Sequence, residues 1–248
     1  MSERRNQRSG LGNGGGGGNG RPDRTAPVLP DVLPIFPLTG SLLLPGNWLP
    51  LNIFEPRYRA MVEDAMEGSR MVGMIQPVVP RQDNRPDPLL VDDEAPAVYS
   101  VGCAGRIERC EPQDDGRYLI LLKGVSRFRV REELEERKGY RRVRAAFAEF
   151  HADLDEPELL LDPDPILTAL RRFARSRELE FDLDRLETLP GVTLLNGLAV
   201  ALPFSPGEKQ ALLEAEGPDH RRDLLLSLMG MGFSAGSDGD FHTPPTVH

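Results

Sequence analysis

The stretch LPIFPLTGSLLLPGNWLPLNIFEPRYRAMVEDAM, from Leu33 to Met66, decides the fold. Leu33–Leu38 is an apolar run interrupted by two prolines. Because proline cannot donate a hydrogen bond to a neighbouring strand, this run predicts an edge strand or the strand by which the chain enters the sheet. Pro45–Asn47 predicts a turn, and Trp48–Phe54 predicts the next strand. The chain is therefore expected to enter its folded part through two β-strands.

A helix is predicted to follow these strands, beginning at Glu55 and Pro56. Proline suits the first helical position because its missing N–H has no partner there, and the helix dipole favours the carboxylate of Glu55. Apolar side chains then recur at helical spacing, which predicts one buried face from Tyr58 to Ala65. Gly68 predicts the end of this helix.

The middle of the chain alternates like β-structure, and its last third has helical spacing. Strands are predicted over 70–77, 97–109, 117–123, 125–131 and 140–150, with a hairpin turn at 114–116. Amphipathic helices are predicted over 164–177, 179–189, 192–202, 206–215 and 218–229. Together these patterns predict an α+β chain.

Composition divides the chain into four parts. Residues 1–30 and 233–248 are expected to be disordered tails, because polar, glycine-rich sequence cannot bury enough surface to offset the entropy of ordering. Between them we expect a β-domain over 31–150 and a helical subdomain over 155–232. Four prolines and five acidic residues between 80 and 96 predict an exposed insertion in the β-domain.

Charge and apolar patterning narrow the class of protein. The 248 residues carry a formal net charge of −9, which argues against general affinity for nucleic acid or anionic membranes. The sequence has neither an apolar run long enough for a membrane span nor the apolar core of a secretory signal. Two cysteines do not make a disulfide framework, so a cytoplasmic location is expected.

The sequence contains no residue pattern typical of an enzyme. It has no G-x-x-x-x-G-K-[ST] loop to hold phosphates, and its four histidines lack metal-ligand spacing, so no cofactor or metal is expected. Cys103 follows the strand alternation and is expected to be buried, whereas Cys110 lies nearer a turn. Neither cysteine has a histidine nearby in sequence, which disfavours a nucleophilic role.

Four motifs near the start resemble the Lon N-terminal domain, the substrate-recognition domain of Lon proteases. They are LPIFPL (33–38), LLPG (43–46), LPL (49–51) and IFEPRYRAMV (53–62). GCAGRI, DDGRYLILLKGVSRFRV and YRRVRA extend the resemblance to about residue 150, and LPFSPGEKQALLEA resembles the attached helical bundle. The resemblance implies a PUA-like twisted β-barrel followed by a small helical bundle, without the ATPase and protease parts of a full Lon protease.

The resemblance also implies non-catalytic recognition of polypeptide clients, such as exposed segments of unfolded proteins, with a protease as a further partner. We expect an apolar surface between barrel and helices to hold the client, with strand addition at the first strand. Fold alone does not decide function, so a small-molecule or RNA sensor on the same PUA-like scaffold stays open as the alternative.

Five motif residues are candidates for the polypeptide-binding site: Trp48, Phe54, Glu55, Arg57 and Tyr58. Trp48 and Phe54 are most simply core residues, although aromatic side chains also anchor interfaces. Glu55 and Arg57 belong either to a simple helix start or to the border of a peptide-binding groove. Because neighbours on a helix surface are three or four residues apart, Arg57 is expected to find its partner on the barrel or on a client rather than in Glu55.

The segment 117–144 holds ten basic and four acidic residues. Alternation places Arg127, Arg129 and Arg131 on one side of a strand, which predicts a solvated outer face. A cationic patch for RNA is the other interpretation. RNA-binding proteins interleave basic with stacking aromatic residues, whereas Phe128 falls on the opposite side here, so nucleic acid is disfavoured as a partner.

Overall fold

The computed structural model describes residues 28–78, 96–154 and 161–234, and this part of the chain is α+β, as predicted. The strands are β1 Val32–Pro37, β2 Trp48–Ile53, β3 Met71–Ile75, β4 Val101–Pro112, β5 Tyr118–Arg137 and β6 Tyr140–Ala146. The helices are α1 Pro56–Glu67, α2 Asp164–Arg177, α3 Leu183–Glu187, α4 Gly191–Ala201, α5 Pro206–Glu214 and α6 Pro218–Ser234. A 3-10 segment covers Ala148–Leu154. The expected insertion and tails lie outside the described residues, apart from 28–30, 96 and 233–234.

The strands form one mixed sheet in the order β2-β5-β4-β3-β1-β6. β5 also pairs with β6, so the strands β5, β4, β3, β1 and β6 close into a ring, and β2 is attached to β5 beside it. β1 and β3 run parallel, and the other pairs are antiparallel. This closed ring agrees with the β-barrel that the family resemblance implies.

The first strand is the entry strand of the sheet, and the other predicted position, at an edge, is wrong. β1 pairs with β6 through Val32–Pro34 and with β3 through Ile35–Pro37. Because β1 changes its neighbour halfway along, its two prolines do not interrupt one continuous ladder, and an interior position tolerates them. In the described part of the chain, the strand at the end of the sheet is β2, which pairs with β5 alone.

One long strand replaces the two predicted over 117–123 and 125–131. β5 runs through Gly124 without a break. A Cβ at this position would lie 2.1 Å from the carbonyl oxygen of Leu44, so glycine is needed for the loop after β1 to approach the strand. Gly124 therefore marks a close backbone contact rather than a strand end.

α1 packs on the barrel with the face that the sequence predicts. Its buried residues are Tyr58, Met61, Val62 and Ala65, and Gly68 caps its C-terminal end. Asp64 fastens the helix to the turn between β5 and β6, because its carboxylate accepts hydrogen bonds from Lys138 Nζ and Tyr140 Oη, both at 2.7 Å. This clamp fixes α1, and hence the residues at its start, against the barrel.

Candidate functional site

The surface around β2 exposes the two aromatic residues that are most simply expected in the core. Trp48 is 51% exposed and Phe54 is 55% exposed, so the core prediction is wrong for both. The reason is the alternation of the strand, because Leu49, Leu51 and Ile53 turn towards the core. The other set of positions in β2 faces solvent.

β5 extends this exposed surface. In the pairing of the two strands, Trp48 is opposite Lys123, Pro50 opposite Leu121 and Asn52 opposite Leu119. Leu119 is 44% exposed, and Lys123 Nζ lies 5.5 Å from the centroid of the Trp48 ring. We call this surface the β2 face; its residues are Trp48, Pro50, Asn52, Phe54, Leu119, Leu121 and Lys123.

The main chain of β2 points alternately towards β5 and away from it. The amide of Gly124 donates to the carbonyl of Asn47 at 2.8 Å, just before β2 begins. Because hydrogen-bonded positions alternate along an antiparallel pair, residues 49, 51 and 53 bond to β5, and 48, 50 and 52 point outward. Pro50 lies at an outward position, where the N–H that it lacks is not needed for the ladder.

Glu55 and Arg57 pair with each other at the start of α1. Arg57 Nε donates to Glu55 Oε2 at 3.0 Å, and its Nη2 lies 2.8 Å from the same oxygen. The prediction that Glu55 could not face Arg57 is wrong, because Glu55 is the N-cap residue with extended backbone (φ −66°, ψ 135°) and so lies off the helix surface. This pair directly follows Phe54 at one end of the β2 face.

Tyr58 is a core residue rather than part of an exposed site. Its side chain is buried, its ring centroid lies 4.2 Å from that of Phe36, and the guanidinium of Arg57 lies 4.5 Å from the ring centroid. The structure therefore brings Phe54, Glu55 and Arg57 together at one end of β2. Trp48 lies at the other end, about 20 Å away at the usual rise per residue of a strand.

The apolar surface expected between barrel and helices is not available for a client, because the two parts share one core. The buried leucines that meet there include Leu42, Leu43, Leu44, Leu195, Leu202 and Leu212. Polar contacts cross the same boundary: Gln76 Nε2 donates to the Pro206 carbonyl at 3.0 Å, and Gln210 Nε2 to the Val101 carbonyl at 3.1 Å. We call this boundary the barrel–helix junction.

Arg127 makes several polar contacts across the junction. Its side chain is buried, pairs with Asp153 at 2.9 Å, and donates to the carbonyls of Leu213 and Ala215. The prediction of a solvated outer face is therefore wrong for Arg127. The sequence pattern misses it because α5 and the 3-10 segment cover this part of the strand, and alternation along one strand does not reveal what covers it.

The other basic residues of 117–144 are largely neutralised by neighbours. Arg129 pairs with Glu149, Arg141 with Glu133, and Arg144 with Asp31. Arg137 and Lys138 share Asp64, and Arg117 pairs with Asp115. The alternative interpretation, a cationic patch for RNA, is therefore not supported, because most of these basic side chains are held in ion pairs.

The cysteines and the metal-ligand types of the described residues form no further candidate site. Cys103 is buried, as predicted, and burial raises the pKa of its thiol far above the ordinary value. Burial also raises the pKa of the half-buried Cys110. Within the described residues, no group of three His, Cys, Asp or Glu side chains could hold a metal ion. None of the helices in this part of the chain is long and apolar enough to cross a membrane.

Most of this chain is similar in sequence to known proteins. The family model of the "ATP-dependent protease La (LON) substrate-binding domain" matches residues 32–230. The Lon protease of Anaeromyxobacter dehalogenans (strain 2CP-C) is 28% identical over 208 residues, which are 81% of this chain and 23% of that protein. Lon protease 2 of Myxococcus xanthus is also 28% identical over 208 residues, with 81% and 24% covered. The chain thus spans about a quarter of the length of these curated relatives.

Solved structures show the same fold. A Lon N-terminal domain protein from Xanthomonas campestris is 27% identical, with a TM-score of 0.53 over 79% of this chain and 97% of that one. The N-terminal domain of a Mycobacterium avium complex Lon protease is 16% identical, with a TM-score of 0.51 over 80% of this chain and 98% of that one, a likeness in fold alone. Because the family model covers most of its residues, the chain belongs to the family of the LON substrate-binding domain.

Proposed function

We propose that this protein recognises extended or unfolded segments of polypeptide clients without acting on them chemically, and that the β2 face is the contact surface. One observation carries the proposal: Trp48 and Phe54, both more than half exposed, flank a strip with the exposed Leu119. Large aromatic side chains at a surface are typical anchors of protein interfaces. Membership of a substrate-binding family supports polypeptide as the ligand.

The proposal includes a role separate from ATP hydrolysis and peptide cleavage. The match to relatives covers the substrate-binding region and leaves out about three quarters of each Lon protease. We propose that a protease, if the clients are degraded, is a separate partner. The β-domain over 31–150 and the helical subdomain over 155–232 would then act as one recognition unit.

The alternative function, a sensor of RNA or small molecules, has less support. Most basic residues of 117–144 are held in ion pairs, so few of them are left to bind a phosphate backbone. Adding RNA to a titration of unfolded polypeptide distinguishes the two functions. RNA would displace the polypeptide only if it bound the same β2 face, and displacement would favour the alternative.

The experiment uses Trp48, the single tryptophan of the chain, as its reporter. Reduced and carboxymethylated ribonuclease A, which is unfolded and contains no tryptophan, is titrated into the full chain. Binding at the β2 face removes water from Trp48 and shifts its emission to shorter wavelength. Calorimetry on the same samples gives the dissociation constant.

Variants of the face test the location. Phe54→Ala and Leu119→Ser are expected to weaken binding about tenfold each, the scale of an interface anchor. Val78→Ser is the matched control, because Val78 is similarly exposed at 45% and lies outside the β2 face. Equal affinities for all these variants, or an unchanged Trp48 emission at saturation, would exclude the β2 face.

A further inference from the structure

The outward edge of β2 has hydrogen-bonding groups that no other strand uses. Across the described residues, the main-chain bonds of β2 go to β5, and the outward groups are the N–H and C=O of Trp48, the C=O of Pro50, and the N–H and C=O of Asn52. This main-chain edge borders the exposed side chains of the β2 face. A ligand that satisfies both must offer main-chain donors and acceptors at strand spacing as well as apolar side chains.

One end of the β2 face also carries an unbalanced positive charge. Lys123 lies over the Trp48 ring, and the ion pairs of the described residues include no carboxylate for it. Its neighbour across β4 and β5 is Arg106, whose closest approach to Glu108 is a loose 3.9 Å. An acidic group beside Trp48 would therefore complement the charge at this end.

We propose that β2 takes an extended polypeptide segment as an additional strand, with apolar side chains at alternate positions over the β2 face and an acidic residue beside Lys123. This inference rests on the proposed function and gives its mode of binding. Main-chain bonds would supply affinity for any extended sequence, and the two aromatic ends would select for apolar side chains.

The charges favour a foreign segment over a second copy of this chain. Two β2 edges placed together would each bring the same missing N–H at Pro50 and the same lysine beside Trp48. The acid that antiparallel pairing would bring near that lysine is Glu55, which is already paired with Arg57. Pro50 fits this view, since edge strands commonly use proline to limit uncontrolled pairing. Because Pro50 removes one outward N–H of β2, the outward groups of Trp48 and Asn52 are still available to a client.

The first test uses capped, tryptophan-free peptides of seven residues, with valine at alternate positions, threonine between, and aspartate at either end. Each peptide is also made with its amides N-methylated at odd or at even positions, which blocks their donors. Strand addition predicts that one set of methyl groups weakens binding at least about tenfold and that the other changes it by less than about twofold. Equal effects of both sets, or no binding of either peptide at millimolar concentration, would overturn strand addition.

Two reciprocal variants of β2 test the same edge from the protein side. Asn52→Pro removes an outward N–H without removing a bond to β5, and is expected to weaken the better peptide about tenfold. Pro50→Ala supplies an outward N–H, and is expected to strengthen it about threefold. Thermal melting checks that both variants fold. If Asn52→Pro melts like the wild type and binds equally well, main-chain pairing at this edge is excluded.

Charge exchange tests the acidic position. Lys123→Glu is expected to weaken the aspartate peptide and to strengthen a peptide with lysine in its place, each by several fold. Unchanged binding of both peptides to Lys123→Glu would show that the site does not prefer an acidic residue beside Lys123. Sedimentation of the wild-type chain completes the set, because a dimer broken by Asn52→Pro would make a second copy the occupant and overturn the inference.

The two proposals fail separately. Loss of carboxymethylated ribonuclease binding in Phe54→Ala, together with indifference to N-methylation and to Asn52→Pro, would keep the β2 face as the site and reject strand addition. Indifference to Phe54→Ala and Leu119→Ser would reject the site, and strand addition with it.

Discussion

The barrel–helix junction buries a charged side chain, whereas the β2 face exposes large aromatic ones. The junction buries Arg127, whose hydrogen bonds are made inside the protein. The β2 face leaves a tryptophan and a phenylalanine more than half exposed, beside an outward main-chain edge. Burying a large apolar side chain contributes about 1.5–3 kcal/mol, a stabilisation that the β2 face largely forgoes. The junction thus holds the fold together, and the exposed aromatic side chains of the β2 face support the proposal that this face binds a partner.

The largest expected effect comes from breaking the junction. Arg127→Ala leaves Asp153 buried without its cation and two carbonyls without a donor, so the free energy of unfolding is expected to fall by about 3–5 kcal/mol. Urea unfolding measures this change. Arg129→Ala is the matched control two residues away, because its pair with Glu149 is exposed and should contribute less than about 1 kcal/mol. Equal losses of unfolding free energy for Arg127→Ala and Arg129→Ala would mean that burial in the junction does not raise the contribution of an arginine to stability.

A smaller effect is expected at Asp64, which ties α1 to the barrel. The hydrogen bond from Lys138 first, and then that from Tyr140, hold the pKa of this carboxyl below its ordinary value, although burial acts in the other direction. Asp64→Asn is expected to lower stability by about 1–2 kcal/mol at pH 7, since Lys138 is half exposed and Tyr140 is buried.

The sign of the pH dependence follows from the depressed pKa. The stabilisation by Asp64 is fully present above the pKa of the unfolded state, about 3.9, and is lost as the pH falls through the lower folded value. The difference between wild type and Asp64→Asn should therefore narrow in urea melts between pH 5 and pH 2. A constant difference over that range would show that Asp64 acts through packing rather than charge. Tyr140→Phe, which removes one donor and keeps the ring, tests the hydrogen bond alone.

The fold was largely predictable because its cues are local. The proline at the start of α1, the helical spacing from Tyr58 to Ala65 and Gly68 at the end of the helix each act within a few residues, and the structure contains them all. The family resemblance supplied the order of the barrel and the bundle. The position of β1 was not predictable from its prolines, because its neighbours, β3 and β6, come from distant parts of the chain.

The site was less predictable because it depends on register and on coverage. Trp48 and Phe54 alternate with the buried residues of β2, but the sequence does not say which set faces the core. Leu119, Leu121 and Lys123 join the face only through their pairing with β2, which no motif reveals. The outward position of Pro50 was the available cue, since a proline in a paired strand must turn its nitrogen away from the ladder.

A third test concerns the ion pair at the end of the β2 face. Arg57→Ala is expected to lower stability by about 0.5–1 kcal/mol, because its pair with Glu55 is partly exposed and its stacking on Tyr58 adds little. A double-mutant cycle with Glu55→Ala measures the coupling between the two side chains. Zero coupling, with weaker binding of carboxymethylated ribonuclease by Arg57→Ala, would place the partner of Arg57 on the client instead.

The smallest expected change in stability sharpens the comparison most. Phe54→Ala should alter the free energy of unfolding by less than about 0.5 kcal/mol, because truncating an exposed side chain leaves no cavity. Phe128→Ala is the matched control, since Phe128 is fully buried in the barrel and its truncation should cost about 3–5 kcal/mol. Urea unfolding of both variants, with ribonuclease binding measured alongside, separates stability from recognition. A loss above about 2 kcal/mol for Phe54→Ala would place this residue in the core, whereas unchanged stability with weaker binding would show that its exposure serves recognition.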